Sequence, residues 1–316
     1  MSKKEILLEV SHLKKYFPMK KGLLKRQQNV IKAVDDVSFH IYKGETLGIV
    51  GESGSGKSTL GRAIIQLIPR TGGDVYYNGQ SIHTIQQSIQ MIFQNPDASL
   101  NPRFTVGQLI EEPFIEQTSL SKIERQKRVD DLLEKVGLNK DAKNKFPHAF
   151  SGGQKQRIGI ARALAMDPQF IIADEPVSAL DVSVQAHILN LLTDLQHDLE
   201  LTYLFISHDL SVVKYISDRV AVMYSGQIVE IGNKNDIYNQ PLHPYTEILL
   251  QSIPTPNVNQ TRKKINWAND TSAVEEQVPG CPFYYRCPHA FDKCFSERPA
   301  LKEKNNEHAV ACHLYE

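Results

Sequence analysis

Apolar residues gather in short runs separated by polar and glycine-rich stretches. Leu47-Gly48-Ile49-Val50 and Phe170-Ile171-Ile172-Ala173 each leave almost no polar position, and Leu204-Phe205-Ile206 repeats the pattern. Runs of this length with no polar face predict buried strands. Leu60 to Ile68, Ile158 to Leu164 and the charged segment Ser121 to Val136 have helical character instead. Strand-like segments fill residues 5–50, among them Val34 to Ile41, and a helix is expected over 57–68. Turns such as Thr71-Gly72-Gly73-Asp74 and Asn78-Gly79 punctuate short strands up to residue 93. The region 94–150 reads as helical, and 157–235 alternates helix with strand, ending in a hairpin around Gly226 to Gly232. Residues 255–278, polar and following Pro254 with Pro256 inside, read as a linker. The alternation predicts an α/β fold.

Composition narrows the class. With 316 residues and 41% hydrophobic content, the chain can bury one large core and carry something smaller beside it. Lys+Arg and Asp+Glu both number 36, so the basic excess of a nucleic-acid binder is absent. No apolar run approaches the roughly 20 residues that span a bilayer. Met1-Ser2-Lys3-Lys4-Glu5 does not open a signal peptide. A cytosolic protein, or one held on the cytosolic side by partners, is expected. Lys14, Lys15, Lys20, Lys21, Lys25 and Arg26 form a basic segment between two strand-like stretches. It reads as a solvated loop, or as a contact with anionic headgroups.

Gly51-Glu52-Ser53-Gly54-Ser55-Gly56-Lys57-Ser58-Thr59 carries the chemistry. It has the form G-x-x-x-x-G-K-S, between an apolar strand and a helix, which is the context of a phosphate-binding loop. Its N–H groups and the helix N-terminus favour anions. Lys57 is placed to reach the β- and γ-phosphates, and Ser58 to bind Mg²⁺. A second anion-binding helix start is Ser151-Gly152-Gly153-Gln154, ahead of Lys155-Gln156-Arg157.

Together these two motifs resemble the ATP-binding-cassette (ABC) ATPases, with Ser151 to Gln154 matching their signature motif. Phe150 stands where the family usually has Leu and keeps an apolar anchor. Phe170 to Glu175 resembles the Walker B element, which implies that Asp174 holds Mg²⁺ through water and that Glu175 acts on the attacking water. Ser178-Ala179-Leu180-Asp181 matches the D-loop, Gln94 the Q-loop glutamine that also reaches Mg²⁺, and His208 the switch histidine. Phe17 matches the aromatic that stacks on adenine, with Tyr16 beside it as the alternative. The resemblance implies catalytic roles for Lys57, Gln94, Glu175 and His208. It also implies a dimer in which Ser151 and Gly153 contact nucleotide on the partner ATPase. Its fold would be a nucleotide-binding domain over 1–238, with a core mixed sheet and a helical subdomain at about 94–156, followed by a small cysteine-containing extension over 239–316.

Phe93 to Arg103 and Gln240-Pro241-Leu242-His243-Pro244-Tyr245-Thr246 closely resemble the ATPase subunits of bacterial oligopeptide and dipeptide importers and of related nickel importers. The likeness is greatest to the second ATPase subunits of oligopeptide permeases, whose N-terminal region carries a similar insertion. It implies a heterodimer with a homologous ATPase, two transmembrane permease subunits, an extracytoplasmic substrate-binding protein and no nucleic acid. The cargo would be peptide, or alternatively nickel or a chelate. The segment after Gln94 would meet the permease coupling helices, and the chain would sit on the cytoplasmic face of the membrane. A soluble ABC ATPase acting on nucleic acid or ribosomes is the alternative of another class.

All four cysteines, Cys281, Cys287, Cys294 and Cys312, lie in the tail. Clustered thiols in a cytosolic protein suggest a metal. The surrounding sequence resembles importer tails that carry a [4Fe–4S] cluster in some members. Zinc and unligated or disulfide-bonded thiols are the alternatives. A structural metal would substitute for a core in a tail with few apolar periodic stretches.

Overall fold

Strands β1 (Ile6–Pro18) and β2 (Val30–Tyr42) pair antiparallel and flank the basic segment. The computed structural model describes residues 4–18, 30–84, 88–253, 278–305 and 307–316. Lys20, Lys21, Lys25 and Arg26 of that segment, and the expected linker up to residue 277, lie outside the described residues. In β2, Val37, Phe39 and Ile41 are buried while Ser38 is exposed, the alternation of a strand with one wet face. After β3 (Thr46–Val50) and α1 (Lys57–Ile64), β4 (Gly72–Tyr77) and β5 (Gln80–Ser81) complete a four-stranded sheet in the order β2-β1-β4-β5. Helix α1 stops four residues short of expectation. Gln66 takes a φ of 63°, which turns the chain before Pro69.

A second sheet carries the fold. It contains β3 with β6 (Ile89–Ile92), β7 (Phe170–Asp174), β8 (Thr202–Ile206), β9 (Arg219–Tyr224), β10 (Gln227–Asn233), β11 (Lys302–Asn305) and β12 (His308–Val310). Their order is β11-β12-β10-β9-β3-β8-β7-β6. The run from β9 to β6 is parallel and the rest antiparallel, which gives the mixed sheet expected. Every residue of β3, β7 and β8 is buried, as strands covered on both faces require.

Four helices occupy the stretch between β6 and β7: α2 (Pro96–Ser99), α3 (Val106–Gln117), α4 (Lys122–Lys135) and α5 (Gly152–Leu164). Thr105, Ser121 and Ser151 begin the last three with capping boxes, each satisfying two backbone N–H groups. Leu109, Phe114, Leu133 and Ile158 join these helices to the main core. α6 (Val182–Leu199) and α7 (Leu210–Ile216) start on the caps Asp181 and Asp209. They are followed by α8 (Lys234–Asn239), α9 (Pro244–Gln251) and, in the tail, α10 (Asp292–Ser296).

Among its described residues the tail builds no core of its own. Strand β12 pairs with β10 through Glu230↔Val310 and Ile231↔Ala309, and so extends the main sheet. The carboxylate of Glu230, fully buried, accepts from the N–H groups of Leu242 (2.7 Å) and His243 (3.0 Å) and lies 2.8 Å from His308 Nε2. Phe283, Cys281 and Cys294 are buried in the same cluster as the sheet residues. Phe283 meets Tyr224 edge-on at 5.2 Å and Tyr245 at 5.5 Å. The cassette thus supplies the apolar surface that a metal was expected to replace. Phe283→Ala should therefore destabilise the folded chain by about 3–5 kcal/mol, read as a lower urea midpoint. A midpoint within error of wild type would contradict this docking.

Candidate active site

The C-terminal ends of β3, β8, β7 and β6 lie side by side, and parallel α/β sheets bind ligands at that edge. The loop 51–56 leaves β3, His208 follows β8, Asp174 and Glu175 close β7, and Gln94 follows β6. Sheet order alone therefore gathers residues that lie up to 157 positions apart between Gly51 and His208. Apart from the buried Asp174 and Ser55 they border a cavity of about 720 Å³, lined by the rest of the loop, Lys57, Ser58, Thr59, Gln94, Glu175 and His208.

Gly56 precedes α1 at a φ of 103°, and a Cβ there would overlap the Ala33 carbonyl oxygen, so only glycine lets the loop close onto the helix. Lys57 is buried and curls back, donating to the carbonyls of Gly51 (2.8 Å) and Glu52 (2.9 Å). Burial lowers its pKa, while Glu175, Asp174 and Glu52 pull it back up. Ser58 Oγ donates to Asp174 Oδ1 at 2.7 Å. The other oxygen, Asp174 Oδ2, is buried without a hydrogen-bond donor, and the Arg62 guanidinium stays 3.6 Å away. Burial raises the Asp174 pKa despite the Ser58 bond and Arg62. Gln94 Nε2 donates to Glu175 Oε2 at 2.8 Å, and His208 Nδ1 lies 3.2 Å from the same oxygen. Glu175 holds a left-handed φ of 48°, fixed by its N–H on the Ile206 carbonyl at 2.9 Å. Such a conformation costs about 1–2 kcal/mol in a residue with a Cβ, and here it aims the carboxylate into the cavity. A cradle of N–H groups, a buried cation and an underpaired carboxylate beside a hydroxyl fit a nucleoside triphosphate with a divalent cation.

Other expected residues stand apart. Ser151, Gly152 and Gln154 are exposed at the start of α5 and do not line this cavity. Gly153 is buried, and a Cβ there would overlap Val184 of α6. Asp181 caps α6, bonded to Ser183 Oγ (2.7 Å) and the Val184 N–H (3.0 Å). Tyr16 spends its hydroxyl on Asp35, whereas Phe17 keeps an exposed ring with Lys15 Nζ 4.7 Å from its centroid. The sequence reading missed Tyr245, Arg286, the α9 residues Ile248 and Leu249, and Ser252 just after that helix. The last three line the cavity, and the first two bond Glu52. A contact across such a sequence distance leaves no local signal.

Cys281, Cys287, Cys294 and Cys312 are free thiols. Burial pushes Cys281 up to about 12 and Cys312 up to about 11, and neighbouring thiols add to both shifts. Among the described residues, no group of three or more His, Cys, Asp or Glu side chains is arranged to hold a metal ion. The expected [4Fe–4S] cluster, and zinc as its alternative, therefore find no ligand set to support them. Cys281 and Cys294 pack into the cassette's own core instead, with Cys287 against it.

Residues 34–178 match the ABC transporter family, and residues 229–294 match the C-terminal region of oligopeptide/dipeptide transporters. The oligopeptide transport ATP-binding protein OppF of Bacillus subtilis is 54% identical, over 92% of this chain and 99% of its own length. The dipeptide transport ATP-binding protein DppF of Escherichia coli is 49% identical, over 97% and 93%. Among solved structures, a dimeric ATP-binding cassette in a post-hydrolysis state bound to ADP and Pi superposes with a TM-score of 0.63. It is 30% identical, over 72% of this chain and 99% of its own. The cbiO1 cassette of Clostridium perfringens gives 0.64 at 28% identity, over 75% and 92%. A phosphate loop, an underpaired carboxylate and a carboxylate gripped by Gln and His thus occur in a sequence close to these relatives over nearly its whole length, and the chain belongs to the family of ATP-binding proteins of ABC-type oligopeptide and dipeptide transporters.

Proposed function

We propose that this chain hydrolyses ATP to drive import of oligopeptides or dipeptides across the cytoplasmic membrane. The observation that carries the reading is the convergence of Glu175, Gln94 and His208 on the cavity of the phosphate loop, in a chain whose tail matches the peptide-transporter C-terminal region. The loop N–H groups and Lys57 bind and orient the phosphates. Ser58 and Asp174, with Gln94, would hold Mg²⁺, and the cation would supply neutralisation of phosphate charge. Glu175 accepts the proton of the attacking water, and Gln94 and His208 keep its Oε2 turned inward. Phe17, with its exposed ring, stacks on adenine, while Tyr16 supports the strand through Asp35.

Ser151, Gly152 and Gln154, exposed and outside this cavity's lining, serve together with the buried Gly153 the nucleotide of a second cassette, and Asp181 lies at the same junction. The partner is a homologous ATPase in a heterodimer. Beside Gln94, a cleft of about 310 Å³ opens between Phe93, Pro96, Leu100 and Pro113. It receives a coupling helix of one of two permease subunits, and an extracytoplasmic binding protein delivers the cargo. Among the described residues no helix is long and apolar enough to cross a membrane, so attachment to the membrane's cytoplasmic face runs through those subunits. The relatives carry oligopeptide and dipeptide transport names, which favours peptide over nickel. Equal numbers of acidic and basic residues favour transport over nucleic-acid work. The tail thiols take no part in the cycle.

Cells whose only copy is Glu175→Gln should lose uptake of a labelled oligopeptide by about 100-fold or more, the scale of a missing general base. Uptake at the wild-type rate would overturn the reading. Asp174→Asn separates binding from folding. The pKa of Asp174 is raised, so its carboxyl favours the native state below the unfolded carboxylate's range and loses that advantage as pH rises through the folded pKa. The nucleotide-free Asn variant should therefore gain stability relative to wild type as pH rises towards neutrality. It should lose Mg²⁺-dependent ATP binding over the same range. Urea titrations of both proteins at two pH values and Mg²⁺-dependent ATP titrations read the two effects, and a stability difference from wild type that does not change with pH would contradict the buried-charge argument.

A further inference from the structure

Residue Glu52 of the phosphate loop is held from three directions. Its carbonyl accepts from Lys57 Nζ at 2.9 Å. Its N–H donates to the Tyr245 hydroxyl at 2.9 Å. Its carboxylate takes a two-pronged ion pair from Arg286, Nη1 to Oε2 and Nη2 to Oε1, both at 2.8 Å. Tyr245 and Arg286 belong to the C-terminal extension. Arg286 also lies 5.6 Å from the ring centroids of both Tyr224 and Phe283. Stacking and the forked geometry set this pair apart from an ordinary surface ion pair, which contributes little. Twelve residues on, Arg298 grips Asp35 through its carboxylate (3.0 Å) and its carbonyl (2.6 Å). The Tyr16 hydroxyl bonds the same carboxylate. The cysteine-bearing tail therefore touches both the phosphate loop and β2, and α9 lines part of the cavity wall.

Glu52 also lines that cavity, so without Arg286 a carboxylate would face incoming phosphates unopposed. We propose that the C-terminal extension is a ligand-coupled part of the nucleotide site, in which Arg286 is a positioning residue that orients the phosphate loop through Glu52, so that nucleotide binding and docking of the extension strengthen one another. The inference rests on the reading that this loop holds nucleotide phosphates. Reciprocity follows from linkage: whatever the extension adds to nucleotide affinity, nucleotide adds to the extension's docking.

The test uses the full chain, a fluorescent ATP analogue and backbone hydrogen exchange across residues 280–298. Arg286→Ala should weaken binding about tenfold, within the usual range of coupling between sites. Adding Glu52→Gln should restore most of that loss by removing the exposed carboxylate, and a purely structural role for Arg286 would give no such rescue. Arg286→Lys, which keeps the charge but not the fork, should fall between and serves if the alanine variant does not fold. Nucleotide should slow exchange over 280–298 in wild type and not in Arg286→Ala. Unchanged affinity in both Arg286 variants, absence of rescue, or exchange in wild type indifferent to nucleotide would each overturn the proposal. Lys57→Ala separates the two readings. If it abolishes binding while Arg286→Ala does not alter it, only the coupling fails. If Lys57→Ala binds as wild type does, the nucleotide site itself has been misread and the proposal falls with it.

Discussion

Asp174 is a carboxyl group removed from water with one oxygen satisfied by Ser58 and the other bonded to nothing. Burying a carboxylate costs several kcal/mol unless charges or hydrogen bonds compensate it. Arg62 at 3.6 Å compensates in part. A divalent cation beside Ser58 would complete the compensation. The group can be so deeply buried because β7 runs between β8 and β6, with every residue of the strand inside. It meets the phosphate loop because β3 sits only two strands away. Parallel order then places Gln94, Glu175 and His208 on the same rim without further devices.

Two kinds of constraint hold that rim in shape. On the cassette side, Lys57 ties the loop to itself and Glu175 is pinned in a left-handed conformation by the strand next door. On the tail side, an aromatic cluster of Tyr224, Tyr245 and Phe283 fills the space under the loop, and Glu230 anchors the turn into α9 as well as His308 of β12. One buried carboxylate thereby joins the end of the cassette to both parts of its extension. The extension is part of the scaffold of the site rather than an appendage.

What could be read from sequence follows from the range of each interaction. Continuous apolar runs revealed β3, β7 and β8, and the charged segment Ser121 to Val136 marked α4 to within a residue at each end. The phosphate loop and the residues closing each strand were legible because their chemistry is local. The end of α1 was misjudged, since apolar spacing continues past Ile64 while the backbone turns at Gln66. The ion pair of Arg286 with Glu52 spans 234 residues, and nothing in the neighbourhood of either side chain announces it. Nor did the sparse apolar pattern of the tail show that β11 and β12 would complete the main sheet, because a short edge strand borrows its burial from its neighbours. The thiols suggested a metal for the same reason: a tail read alone lacks a core, and the core was elsewhere.

The most direct measurement is ATP hydrolysis by the chain assembled with its permeases in proteoliposomes, with peptide-loaded binding protein added on the opposite side. The account predicts hydrolysis that rises with peptide-loaded binding protein and accompanies peptide entry, and that disappears when Glu175 is replaced by Gln. Hydrolysis indifferent to peptide, or stimulated by a nickel chelate in its place, would contradict it.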